Sequence, residues 1–142
     1  MLVGKNILYY HAKSNKLSGD YSDIEKQARR FYNNITRFTK RNPYIKSAYF
    51  HREKIFIKLF WTHLFEKHLG ERRRRLKYYL CAIELLRETT YSPETKQNPN
   101  GRNELVHRFA GIASDGSKFY VQVKEDNRSG NKHFISIIPE RQ

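Results

Sequence analysis

Cysteine is almost missing from this chain, acidic residues are few, and no apolar stretch is long. The single cysteine, Cys81, excludes an intrachain disulfide framework and suits a reducing compartment such as the cytoplasm. Only 14 of the 142 residues are Asp or Glu, against 28 Lys or Arg, which leaves a formal charge of +14. A compact surface with that charge repels itself, so an anionic partner is expected, and nucleic acid fits better than a membrane. No apolar run reaches the roughly 18 residues of a transmembrane helix. No signal-peptide core follows Met1, because Lys5, Asn6 and His11 interrupt it. There is no internal repeat, and no low-complexity segment beyond the run Arg72 to Arg75.

What the chain has in quantity is aromatic side chains, 14% of residues, with ten tyrosines and nine phenylalanines. At this length they can furnish the core of one domain. Residues 1–12 have strand-like composition, and 13–20 read as a loop. Ser22 and Glu25 have capping-box spacing. Ile24, Ala28, Phe31, Ile35 and Phe38 then recur at helical spacing, and Pro43 should end the helix near Asn42. Segments 44–50 and 54–60 read as a hairpin around His51-Arg52-Glu53. Residues 61–69 suggest a short helix closed by Gly70, and about 71–90 a longer one bounded by Pro93. Residues 92–104 read as a turn-rich loop. Three strands at 105–112, 118–125 and 133–138 form a meander, joined by Gly-containing turns. The expectation is α+β: an antiparallel sheet, meander plus hairpin, packed on helices. Residues 1–42 would be a strand and helix extension to a unit spanning 43–142.

The segment 54–77 concentrates the candidate chemistry. It holds the only tryptophan, Trp61, the histidines His63 and His68, and four successive arginines. A spacing of five does not stack two histidines on one helix face, which argues against a zinc pair; no metal or other cofactor is expected. His68, at a helix end beside the sheet, could serve as a general acid or base near neutral pH. The bland alternative leaves one histidine in the core and the other in solvent. Four cations in a helix's first turn would oppose its dipole, a cost that hints at phosphate contact for Arg72, Arg73, Arg75 and the following Lys77. In the meander, Tyr120, Gln122 and Lys124 share one strand face, a combination that can stack a base and hold its backbone. Tyr120, Gln122 and Lys132 therefore join the RNA-contacting set. The side that Ser136 takes is open, since both faces of its strand are apolar.

The strand KIFIKLF, followed by Trp61-x-His63-Leu64-x-x-Lys67-His68, resembles a pattern in phage-associated ribonuclease domains. These belong to the barnase–EndoU–colicin–RelE-like (BECR) superfamily. ELLRETTYSPE (84–94), ELVHRF (104–109), FYVQVK (119–124) and FISIIP (134–139) follow in the matching order, so the resemblance covers about 54–139. Leu69 stands where the family often has Pro, and Ser136 where Thr is commoner. The resemblance implies a BECR/RelE-like fold and metal-independent RNA cleavage. By motif position His68 would be the leading catalytic histidine and His63 a supporting one. Arg108 and Lys124 would bind phosphate, and Ser136 would hold the polar position of the last strand.

Without a metal, RNA is cleaved through its own 2′-OH, which attacks the adjacent phosphorus and leaves a 2′,3′-cyclic phosphate. A histidine moves the protons and cations hold the phosphoryl charge. DNA lacks the attacking group. A free ribonuclease harms its host, so two settings are expected: restraint by an acidic inhibitor, as in a toxin–antitoxin pair, or delivery with a phage particle. The rival expectation is a non-catalytic nucleic-acid-binding protein using the same cations and aromatics. A third is a structural or inhibitory phage protein.

Overall fold

In chain order the elements are β1 (Tyr10–His11), α1 (Tyr21–Thr36), β2 (Tyr44–Ser47), β3 (Glu53–Phe56), α2 (Leu59–Phe65), α3 (Leu69–Leu76), α4 (Tyr79–Glu88), β4 (Glu94–Gln97), β5 (Glu104–Ile112), β6 (Lys118–Asp126) and β7 (Lys132–Pro139). This computed structural model describes residues 6–99 and 103–141. Residues 1–5 of the expected first strand and residues 100–102 of the expected loop lie outside them.

The fold is α+β; the described residues form four helices and a seven-stranded sheet in the order β1-β5-β6-β7-β3-β2, β4 also pairing with β5. The sheet is mixed, a correction to the antiparallel expectation: β1 runs parallel to β5, and β3 parallel to β7. The antiparallel meander β5-β6-β7 is its centre. Along these strands Phe109, Phe119, Val121, Val123, Phe134 and Ile137 point to one face and are buried. The helices cover that face, with Phe60 stacked on Phe134 at 4.5 Å between ring centres.

A β-bulge decides which residues share the open face. Val123 pairs with Phe134 but Gln122 pairs with Ser136, so Ile135 is the extra residue. An unbroken register would set Ile135 against Gln122 and turn Ser136 toward the core. The bulge lets Phe134 and Ile137 both stay buried and sends Ser136 outward.

Several boundaries differ from the sequence reading. The capping box of α1 is Asp20 with Asp23, not Ser22 with Glu25. The helix stops at Thr36, where the threonine hydroxyl donates to the Asn33 carbonyl; Phe38, the expected next core residue, is 85% exposed. Leu59 and Phe60 begin α2 instead of ending a strand, because Phe60, Trp61 and Leu64 form its buried stripe. Gly70 lies inside α3, and the expected single helix 71–90 is two, broken between Leu76 and Tyr79. Within the expected 92–104 loop, β4 is a fully exposed edge strand whose polar composition carries no alternation.

Ala12, Leu17 and the α1 stripe (Ile24, Ala28, Tyr32, Ile35) belong to the same buried cluster as the sheet. Glu84 on α4 fastens the N-terminal segment, accepting from the Tyr10 hydroxyl at 2.5 Å and the Ser14 amide at 2.7 Å. Burial would raise the Glu84 carboxyl, but its hydrogen bonds from Ser14 and Tyr10 hold it below the usual range. Gly111 lies hard against α4 and β6: a Cβ there would fall 2.8 Å from Leu85 Cδ1 and 2.6 Å from Phe119 Cζ.

Candidate nucleic-acid interface

The open face is organised by cross-strand register. Val106, Lys124 and His133 form one row across β5, β6 and β7; Arg108, Gln122 and Ser136 the next; Ala110, Tyr120 and Ile138 the third. The middle row is joined by the Ser136 hydroxyl donating to Gln122 Oε1 at 2.8 Å. Arg108 lies on the ring of Tyr120, 4.1 Å from its centre. Among the described residues Arg108 makes no ion pair, and its Nε–H is covered without an acceptor. The Tyr120 phenol is pushed up to about 12 by burial and by its contact with the Tyr9 hydroxyl, 3.4 Å away. Lys124 forms an ion pair with Glu104 at 3.3 Å. His133, which alternation with buried Phe134 places on this face, packs on Phe56 at 5.5 Å between ring centres. Burial first, then the nearby Lys124 cation, lower its pKa from the ordinary histidine value.

A groove of about 270 Å³ adjoins this face where α2 and α3 meet β7. It is lined by His63 on α2, Lys67 in the link between α2 and α3, Arg75 on α3, and by Gln122, Ser136 and Ile138 on the sheet. Glu66 stands 3.5 Å from His63 Nδ1. Thus His63, Arg75, Arg108, Tyr120, Gln122, Lys124 and Ser136 all lie on or beside one surface.

The other expected residues sit elsewhere. His68 is the N-cap of α3, its Nδ1 accepting from the Glu71 amide at 3.3 Å, and it does not line the groove. Lys132 is buried on the helix-facing side, 2.6 Å from Glu53 Oε1; that corrects its place in the RNA-contacting set. Arg73 and Lys77 line a separate cavity with Lys16 and Asp115.

The arginine run also needs correction. Because α3 starts at Leu69, Arg73 to Arg75 fall in its last turn, where the helix dipole favours cations. All four guanidinium groups hold backbone carbonyls of their own chain. Arg72 donates to Lys67 and Phe65, Arg73 to Gly19, Arg74 to Pro139 and Arg75 to Ile137. Glu71 accepts from Arg74 at 3.1 Å and from Arg75 at 3.3 Å. Burial would raise its carboxyl, but these partners hold it below the usual range. The spacing Glu71–Arg75, a favourable i,i+4 pair, was the sequence signal for this role.

A second polar cluster escaped the sequence reading. On the helix-facing side the buried His107 bridges the Thr95 hydroxyl (Nδ1, 2.8 Å) and Glu125 Oε1 (Nε2, 2.7 Å), tying β4, β5 and β6 together. Among the described residues no group of three or more His, Cys, Asp or Glu is placed to hold a metal ion, and no helix is long and apolar enough to cross a membrane.

Compared with known proteins, the chain matches no family model, no curated protein and no solved structure.

Proposed function

We propose that the open face of the meander binds RNA and that the groove beside it cleaves RNA without a metal, in the manner of the BECR-like ribonucleases that residues 54–139 resemble. The observation that carries this reading is the row Arg108–Gln122–Ser136, which leads across the sheet into the groove holding His63, Lys67 and Arg75. A strand of RNA laid along the row meets a cation, an amide, a hydroxyl and then the groove's cations, with the Tyr120 ring in the adjoining row. His63 is the histidine at the groove and takes the proton-transfer role; the reading thereby moves that role from His68. Lys67 and the remaining donors of Arg75 stabilise charge on the phosphoryl oxygens. Ser136 and Gln122 orient the sugar, whose 2′-OH attacks the phosphorus as its proton leaves and the 5′-oxygen is protonated. Lys124 and Arg108 hold RNA further along the face. Given the +14 charge, an acidic protein inhibitor would associate fast and with strong salt dependence.

The test is incubation of the purified protein with RNA in EDTA beside single-stranded DNA of the same sequence. RNA alone should be cut, leaving 2′,3′-cyclic phosphate ends. His63→Gln should slow cutting about 10²- to 10⁴-fold. His68→Asn, which keeps a capping side chain, should leave the rate nearly unchanged. A collapse of rate in His68→Asn with native stability would return the leading role to His68. RNA bound at low salt but never cut supports the second reading, a non-catalytic RNA-binding face. That reading is favoured by the capping role of His68 and by Glu66 beside His63.

A further inference from the structure

β1 and β4 share one edge of β5, end to end: β4 pairs with residues 105–108 and β1 with 111–112. Between them opens a cavity of about 560 Å³, floored by Arg108, Ala110 and Tyr120 and walled by Ile7, Leu8, Pro93 and Glu94. Its volume lies in the ordinary range for small-molecule sites, about 300–1,000 Å³. Two observations point to an occupant. Glu94 and Arg108 are directly opposed in register, yet they form no ion pair. Arg108 lies instead over Tyr120, its Nε–H lacking an acceptor among the described residues, and Glu94 reaches only Lys96, at 3.7 Å. Opposite charges on neighbouring strands normally meet; here both side chains line the cavity without pairing. The second observation is the wall: Ile7 and Leu8 are 55% and 60% exposed, apolar side chains set beside a polar floor.

We propose that this cavity takes a guanine base of the bound RNA, with Arg108 and Glu94 as its two readers. The proposal rests on the RNA reading above and gives Arg108 a base edge to recognise. Guanine is the base that presents two acceptors, O6 and N7, along one edge and two donors, N1–H and N2–H, along another. A guanidinium fork matches the first pair and a carboxylate the second. Adenine would set its N1 lone pair against the Glu94 carboxylate and its amino group against the Arg108 donors. Pyrimidines lack the O6/N7 pair. Ile7, Leu8 and Pro93 supply the apolar surface that covers the base faces.

The experiment is calorimetric titration of the intact protein with 5′-GMP, 5′-IMP, 5′-AMP and 5′-UMP at one low salt concentration, so that the shared phosphate cancels. GMP should bind about 5- to 150-fold more tightly than AMP, the range of one good bidentate pair. IMP, which keeps N1–H but lacks the 2-amino group, should fall between them. Glu94→Gln should close the gap between GMP and IMP. Arg108→Lys, which keeps the charge but loses the fork, should weaken GMP more than AMP. Equal affinity for the four nucleotides overturns the proposal. Mapping of cleavage ends separates the two readings. RNA cut with no bias around guanine, and no GMP preference, removes the guanine site alone. GMP preferred while RNA stays intact keeps the guanine site and removes the nuclease.

Discussion

The two faces of the meander are made from alternate residues of the same three strands, and they follow opposite rules. On the helix-facing side Phe109, Phe119, Val121, Val123, Phe134 and Ile137 interlock, and the strands' two buried polar side chains are matched: His107 between Thr95 and Glu125, Lys132 on Glu53. On the open side Arg108 has no ion-pair partner among the described residues, and His133 and Lys124 sit side by side as a histidine and a cation. Folding accounts for the first face. The second face, where a cation without an ion pair lies on an aromatic ring, is the one on which the proposed RNA reading draws.

The largest effect expected from breaking this contrast is on the buried side. Phe134→Ala removes a fully buried ring stacked on Phe60 and should destabilise by about 3–5 kcal/mol, read as a lower urea midpoint. Gly111→Ala would drive a methyl group into Leu85 and Phe119 and should cost about 1–3 kcal/mol. Its outward neighbour is a control: Ala110→Ser should change stability by less than about 0.5 kcal/mol. Arg108→Ala sharpens the comparison from the other side. It should cost about 0.5–1 kcal/mol of stability through the lost contact with Tyr120, while RNA affinity falls and the slope of log affinity against log salt becomes shallower if a phosphate contact is lost. If Arg108→Ala proves as destabilising as Phe134→Ala with RNA affinity intact, the contrast between the faces fails.

The smallest effect is a pH dependence. Burial and the neighbouring Lys124 lower the His133 pKa, so the folded protein binds that proton less readily than the unfolded chain. Above an ordinary histidine value of about 6.5 both states are neutral and the residue adds no slope. As pH falls below it the unfolded chain protonates first, and stability declines until the lower native value is passed. Asp126 and Glu104 work against the shift and keep it small. His133→Phe should flatten this part of a plot of urea midpoint against pH.

The contrast was partly readable before the fold was known. Alternation in 105–112 and 118–125 placed Arg108, Tyr120, Gln122 and Lys124 correctly on shared faces, because period two survives wherever pairing is regular. It could not place Ser136, since the bulge at Ile135 is a product of packing Phe134 and Ile137 into one core. The helix boundary between the two histidines was read less well. His63 and His68 differ in burial and partners because α2 ends at Phe65 and α3 starts at Leu69, which makes His68 a helix cap; the sequence reading had set that boundary at Gly70, which lies inside α3. Lys132 could not be assigned a side without knowing that Glu53, 79 residues away, comes within reach.

The arginines of α3 carry one more consequence. β7 has β3 beside it only at Lys132 and His133, and beyond them its outer carbonyls at Ile137 and Pro139 are engaged by Arg75 and Arg74. A bare strand edge is a template on which another chain can add a strand, the usual route to aggregation. Here guanidinium groups occupy the positions where a foreign strand's amides would dock, and Pro139 has no amide of its own to offer. Neutralising Arg74 and Arg75 would therefore do more than lower the charge. It would open the sheet to growth.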